Sequence, residues 1–317
     1  MEISTYMAAD EAKVIALWNR CLPEDVVDRD NFYKRVICDV NFDPRLFLIA
    51  WDGCEPVGFI YGTMRQVPDE AAGLQVGTAW LVMMGVAPEY RRHGLGRQLY
   101  YELEARLSEK CKAANHDLLK IELGAYSSNY FIPGADFTNY PGCVEFFKAM
   151  GYSEKGNCVS MDINLHGYRT PPKYLERKAD LERAGYVFKT MELQDCLPTF
   201  DFLRRDFPYW LPVVRENVLH RIETIEIVYN PQGEVKGYAM SAMDGTPERF
   251  GPFGVSPSEQ GTGLGGLLFH NLVSNMIKRR IFYTRFMWTG GRNIDIYSTW
   301  GMKVFRTYTT MEKILKG

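Results

Sequence analysis

Apolar and polar positions along this chain alternate with two periods, and the periods follow one another in the same order twice. Residues 11–21 place Ala12, Ile15, Ala16 and Leu17 on one face of a helix, with Asp10 in the N-cap place. Residues 46–51 read as a strand, Asp52-Gly53 as a hairpin turn and residues 56–62 as the returning strand. A further strand covers 79–86. The helix predicted from Gly94 to about Lys112 carries Leu95, Leu99, Leu103 and Leu107 as one buried stripe, and 118–123 is the next strand. The second half repeats the order. Residues 225–229 are a strand, Pro231-Gln232-Gly233 a turn, 235–240 the return, 250–255 a strand and 263–278 a helix, with Leu264, Leu267, Leu268 and Leu272 apolar. Ile281-Phe282-Tyr283 opens the following strand.

Where strand meets helix, the local sequence also recurs. The first junction is Val86-Ala87-Pro88-Glu89-Tyr90-Arg91-Arg92-His93-Gly94-Leu95-Gly96, and the second is Val255-Ser256-Pro257-Ser258-Glu259-Gln260-Gly261-Thr262-Gly263-Leu264-Gly265. A turn of this kind presents backbone N–H groups and a partial positive charge at a helix N-terminus, a seat for a pyrophosphate. Its glycines remove Cβ atoms where phosphates come closest. Arg91 or Arg92 can add a charge-assisted contact, whereas Gln260 offers neutral hydrogen bonds.

A third correspondence closes each copy, residues 144–152 matching 293–301. The first copy carries extra residues between turn and closing element, around Tyr126 to Tyr140, where Ser127-Ser128-Asn129 and Ile132-Pro133-Gly134 are loop chemistry. The boundary is expected near Tyr168-Arg169-Thr170-Pro171-Pro172, giving domains 1–165 and 166–317, with a helix over 173–184 leading into the second.

Composition narrows what such a pair can be. The chain has 317 residues, 46% hydrophobic and 24% charged, with a net charge of −2. Two globular domains fit that length, and no basic field calls for nucleic acid. No apolar run suits a membrane span, and the N-terminus has no secretory pattern. Seven scattered cysteines without a Cys-x-x-Cys favour reduced thiols and a cytoplasmic home over a disulfide scaffold, and the histidines show no metal spacing, so no metal is expected.

The strand, Val-x-Pro and Arg/Gln-x-x-Gly-x-Gly turn resemble the GNAT superfamily of acetyl-CoA-dependent N-acetyltransferases, and the resemblance spans nearly the whole chain as a tandem pair. The closing elements resemble the family's Phe-Tyr-x-x-x-Gly-Phe box, here Phe146-Phe147-Lys148-Ala149-Met150-Gly151-Tyr152 and Ile296-Tyr297-Ser298-Thr299-Trp300-Gly301-Met302. A dinucleotide fold is the rival reading: Gly261-Thr262-Gly263-Leu264-Gly265-Gly266 satisfies G-x-G-x-x-G, but the first copy has Leu99 at the third glycine position and no acidic residue lies near 281. The resemblance implies two α/β domains, each a mostly antiparallel splayed sheet flanked by helices. It also implies acetyl transfer from acetyl-CoA to a primary amine of a small molecule by direct attack. A different acyl group, or a non-catalytic acyl-CoA sensor, are the alternatives.

By the same resemblance, backbone N–H groups of Met84, Gly85 and Val86, and of Phe253, Gly254 and Val255, stand at the thioester. The two turns, Arg91 to Gly96 and Gln260 to Gly265, hold the pyrophosphate. The family's acid is often a tyrosine at the second box position, which is Tyr297 in the second copy and Phe147 in the first; a phenol can donate a proton and a phenyl ring cannot. The second copy is therefore the expected catalyst. A core tyrosine packed under the sheet is the alternative for Tyr297. Glu248, read at the start of the strand before the second turn, is the candidate base or else a solvated strand-end glutamate. Asp201, Asp206, Phe207, Tyr209 and Trp210 fall where family members line the acceptor site; helix-surface acids beside a buried aromatic cluster are the other reading.

Overall fold

Two helices of this chain begin for the same local reason. Gly94 and Gly263 cap them in the left-handed region, at φ 87° and 91°, where a side chain would cost roughly 1–2 kcal/mol. Around these junctions the computed structural model, which describes residues 1–126 and 131–315, runs in the repeated order the sequence predicts. The first half comprises β1 (Glu2–Thr5), α1 (Glu11–Cys21), α2 (Arg29–Phe32), β2 (Phe47–Asp52), β3 (Glu55–Met64), β4 (Thr78–Val86), α3 (Leu95–Ala113), β5 (Lys120–Leu123), α4 (Cys143–Ala149) and β6 (Ser153–Asn164). The rest comprises α5 (Pro172–Arg183), β7 (Val187–Thr190), α6 (Cys196–Asp206), α7 (Leu211–Arg221), β8 (Ile225–Tyr229), β9 (Val235–Met240), β10 (Phe253–Val255), α8 (Leu264–Lys278), β11 (Tyr283–Thr289), α9 (Arg292–Thr299) and β12 (Lys303–Ile314). The loop expected at Ser127-Ser128-Asn129 lies outside the described residues.

The chain divides into two units, Met1–Cys158 with Arg306–Gly317, and Val159–Phe305. The last strand, from Arg306 onward, thus belongs to the first unit. In that unit β1, β2, β3 and β4 are antiparallel neighbours. β5 lies parallel to β4, and β12 antiparallel to β5. The period of two sorts the strands between faces. Leu48 and Ile60 pack with Leu99 and Leu103 of α3, whereas Ile49 and Phe59 pack with Trp18 and Phe32.

The pairing of β4 with β5 runs only from Thr78↔Lys120 to Leu81↔Leu123. β4 continues to Val86, so its last residues leave β5 and the sheet splays. Ala87 N donates to Val57 O on the β3 side. By strand alternation, Met84 and Val86 then turn their N–H and C=O groups toward the opening.

The second unit has β7, β8, β9 and β10 as antiparallel neighbours. A parallel bridge, Arg249↔Arg285, joins β11 just before β10. Residues 159–164 of β6 pair with β11. One expectation fails here: the strand predicted over 250–255 is only Phe253–Val255. Pro252, which has no N–H to give a ladder, precedes it. Glu248 therefore stands in a turn before β10 and not at the start of that strand.

Candidate functional site

The splay in the first unit opens a cleft of about 980 Å³, lined along one side by residues 81–86 of β4 and along the other by Leu123, Gly124 and α4. The glycine turn stands at its mouth, where Arg20, Arg91, Arg92 and Arg97 also line it. Arg91 is folded back, its Nε donating to Val86 O at 2.9 Å and its Nη2 to Cys21 O at 3.4 Å. It therefore braces the strand end, while Arg92 and Arg97 are exposed at the opening. Of the predicted residues, Met84, Gly85, Val86, Arg91, Arg92, Gly94 and Gly96 come together here. His93 is exposed outside the lining and Leu95 is buried in the core. Gly85 is packed from behind: a Cβ there would lie 2.6 Å from Cys21 Cβ.

Arg97 and Arg20 join the lining without a motif of their own. A signal existed for Arg97. A cation in the first turn of a helix opposes the helix dipole, and α3 has no acidic residue there to compensate. Such a residue makes sense beside an anionic ligand.

The extra segment of the first copy forms the rest of the wall. Ile132, Gly134, Ala135, Asp136, Asn139 and Tyr140 all line the cleft. Asp136 Oδ1 accepts from the backbone N–H groups of Thr138 and Asn139, at 3.1 and 3.0 Å. Arg306 of β12 holds this wall to the loop after α1. Its Nε donates to Asp136 Oδ2 at 2.7 Å, and its Nη1 and Nη2 to the two Asp25 oxygens at 2.8 and 2.9 Å. The Tyr140 hydroxyl donates to Asp25 Oδ2 at 2.7 Å. All three charged side chains are 7% exposed or less. Burial, reinforced by Asp25, pushes the Tyr140 phenol far above its ordinary value. Phe147 lines the cleft and has no group to donate.

The second turn has the same backbone and different surroundings. Arg177 of α5 donates through Nε and Nη2 to Thr262 O, at 3.1 and 3.0 Å. Gln260, Gly261 and Gly263 are exposed, Gly265 is half-buried and Leu264 is core. Between β10 and β11 stand aromatic rings. Tyr297 lies 4.7 Å from Phe286, 5.3 Å from Trp300, 5.9 Å from Phe250 and 6.3 Å from Phe253, centroid to centroid. Burial holds its phenol well above the ordinary value. Proton transfer from it to a thiolate of pKa near 8.5 would be uphill.

Phe207 lies on Gly254, whose missing Cβ would stand 2.6 Å from its ring, and the same ring meets Phe202 and Tyr238. Tyr209 is exposed and Trp210 half-buried. Asp201 pairs with Arg204 at 2.7 Å and Asp206 with Arg205 at 3.0 Å. Burial raises the Asp206 carboxyl, but Arg205 and the Ser256 hydroxyl outweigh it and the net shift is down. Glu248 uses its carbonyl, not its carboxylate, to accept from Arg285 N and the Thr284 hydroxyl.

Among the described residues no group of His, Cys, Asp and Glu could hold a metal ion, and no helix is long and apolar enough to cross a membrane.

Comparison with known proteins follows the same division. The model of the acetyltransferase (GNAT) family matches residues 12–123, which lie wholly in the first unit. An acetyltransferase of Photorhabdus laumondii is 35% identical over 108 residues, covering 34% of this chain and 66% of that protein. One of Sodalis glossinidius is 33% identical over 108 residues, covering 34% and 67%. The chain thus spans about two thirds of the length of these relatives. Several solved structures align with nearly all of it. The GCN5-related glucosamine N-acetyltransferase region of a fungal multi-domain GH3 β-N-acetylglucosaminidase gives a TM-score of 0.80 at 18% identity, over 98% of this chain and 38% of that one. A tandem GNAT protein from the clavulanic acid biosynthesis pathway gives 0.62 at 15% identity, over 100% and 99%. At these identities the likeness is one of fold.

Proposed function

The chain belongs to the GNAT family of acetyltransferases, and from that premise we propose that it moves an acetyl group from acetyl-CoA to the primary amine of a small molecule, with the cofactor seated in the first unit. The observation that carries this is the open edge of β4, running from a splayed sheet to a turn flanked by Arg20, Arg92 and Arg97. The residues fit the cofactor. The three guanidinium groups and the helix N-terminus behind Gly94 suit a pyrophosphate. The N–H groups of Met84 and Val86 suit the thioester and its arm. The amine attacks the carbonyl carbon, the C–N bond forms, the C–S bond breaks and CoA leaves as its thiolate. The proton lost by the amine passes to solvent or to that thiolate. Asn139 and Tyr140, held through Asp136 and Asp25, line the side from which the acceptor enters.

A second reading keeps catalysis in the second unit, with Tyr297 as the acid. It is favoured by the place of Tyr297 between β10 and β11, the counterpart of the open edge of β4. It requires the surrounding rings to part.

Calorimetric titration of acetyl-CoA into the full chain tests the proposal. Gly94→Val strains the turn and puts a branched side chain where the pyrophosphate packs. The dissociation constant should rise by about 100-fold with the fold retained by circular dichroism. An unchanged constant removes the cofactor from this cleft.

A further inference from the structure

The second unit contains a pocket that shares no residue with its glycine turn, β10 or Tyr297. It has a volume of about 320 Å³ and lies between α5, the edge strand β7 and α8. That volume is at the small end for ligand sites and suits a molecule of amino-acid size.

Its polar groups are an unusual set. Glu226, on β8, is 5% exposed yet lines the pocket. One carboxylate oxygen, Oε1, accepts from the Thr190 hydroxyl at 2.7 Å and from Asn275 Nδ2 at 2.9 Å. The other, Oε2, takes part in no hydrogen bond or ion pair among the described residues. A carboxylate so buried is costly without a partner. Two lysines, Lys178 and Lys278, line the same pocket, Lys178 with its Nζ 5.6 Å from the centre of the Phe188 ring. Lys278 forms no ion pair among the described residues, and Lys178 reaches Glu182 only at 3.7 Å. Lys189, the third cation of the lining, is already tied to Glu192 and Asp195 at 2.7 and 2.9 Å. Burial raises the Glu226 carboxyl; the hydrogen bonds from Thr190 and Asn275, and after them the charges of Lys178 and Lys278, act against that rise.

The charges select the ligand. A simple cation would meet Lys178 and Lys278. A simple anion would meet Glu226. A molecule with an ammonium group at one end and a carboxylate at the other satisfies both. Leu175, Phe188 and Leu267 add apolar wall for a side chain.

We propose that this pocket is a binding site for a small zwitterion of the α-amino-acid type, its ammonium on Glu226 and its carboxylate on Lys178 and Lys278. The site is independent of the acetyl-CoA cleft of the first unit.

The test uses the full chain without acetyl-CoA, so that no acceptor is consumed. L-leucine, 4-methylpentanoate and isoamylamine are titrated by calorimetry. These share the apolar tail and carry both charges, the carboxylate alone and the ammonium alone. Leucine should bind at least tenfold more tightly than either analogue. Glu226→Gln and Lys278→Met should each weaken leucine tenfold or more, with acetyl-CoA affinity unchanged and the fold intact by circular dichroism. Three outcomes overturn the proposal: equal binding of the three compounds, no heat from leucine or from any other standard amino acid at millimolar concentration, or leucine binding that survives Glu226→Gln. The last would place the amino acid elsewhere, such as the acceptor side of the first cleft. Loss of acetyl-CoA binding in Gly94→Val, measured separately, bears on the transferase reading and not on this one.

Discussion

The two glycine turns are near copies in backbone, yet the spaces they guard differ. Each follows a short 3-10 turn, Pro88–Tyr90 or Pro257–Glu259, and each ends on a left-handed glycine cap. The first opens on a cleft with four arginines in its lining, Arg91 folded back on Val86 O and Arg20 paired with Glu89 at 3.0 Å, leaving Arg92 and Arg97 exposed at the opening. At the second, Arg177 is spent on the Thr262 carbonyl, and the Tyr297 ring lies against Phe253 of β10 and Phe286 of β11. The same local turn thus meets an open cleft in one unit and packed aromatic rings in the other.

The largest effect should come from Arg306. Arg306→Met leaves Asp25 and Asp136 buried without their cation, a loss of about 3–5 kcal/mol. Urea unfolding followed by near-ultraviolet circular dichroism should show the first unit melting early and acetyl-CoA binding falling with it. A first unit of parent stability would show that its cleft does not hang on β12.

The turns can then be set against each other. Where Gly94→Val weakens acetyl-CoA about 100-fold, Gly263→Val should change the constant by less than about threefold, because Arg177 is held by the Thr262 carbonyl and Tyr297 lies against rings of both β10 and β11. The opposite ranking would move the cofactor to the second unit.

Acid should separate the halves more gently. Burial, with a smaller push from Lys173, lowers the His270 imidazole to about 4. Its ring lies against Tyr174, and Tyr168 pairs with Nδ1. The folded value lies below the unfolded one near 6.5. The second unit should therefore keep full stability above about pH 6.5 and lose on the order of 2 kcal/mol as pH falls toward 4. His270→Gln should flatten that slope in a series of thermal melts. A slope unaltered by the substitution would mean that another group sets it.

The smallest effect is expected at Tyr297. Tyr297→Phe keeps the ring in its cluster, and the turnover number should stay within about twofold of the parent. A fall of about 10²-fold, the scale of a lost general acid, would restore the second unit as catalyst.

Much of this was legible in the sequence because it is local. Residues 225–229 and 235–240 are strands at the predicted bounds, and Pro231-Gln232-Gly233 falls between them. Gly94 and Gly263 announce their caps through the residues beside them. What the sequence could not convey depends on partners far along the chain. Tyr297 stands out as a phenol in a box, but its neighbours Phe250, Phe253 and Phe286 come from the turn before β10, from β10 and from β11. Glu248 was read as a strand start because apolar residues follow it, and Pro252 shortens that strand. Arg306 carried no signal at all, since its partners Asp25 and Asp136 lie in two distant loops.

The membership of β12 in the first unit sets an order on biosynthesis. Asp25 and Asp136 leave the ribosome long before Arg306, and the whole second unit is translated in between. At roughly 5–20 residues per second that interval is on the order of 10 s. Throughout it the nascent first unit has two acidic loops without their cation and a sheet edge at β5 without its neighbour. Its cleft can close only once Arg306 has emerged, so a chain released before that point by a truncating mutation would lose the cleft even though every residue lining it had been made.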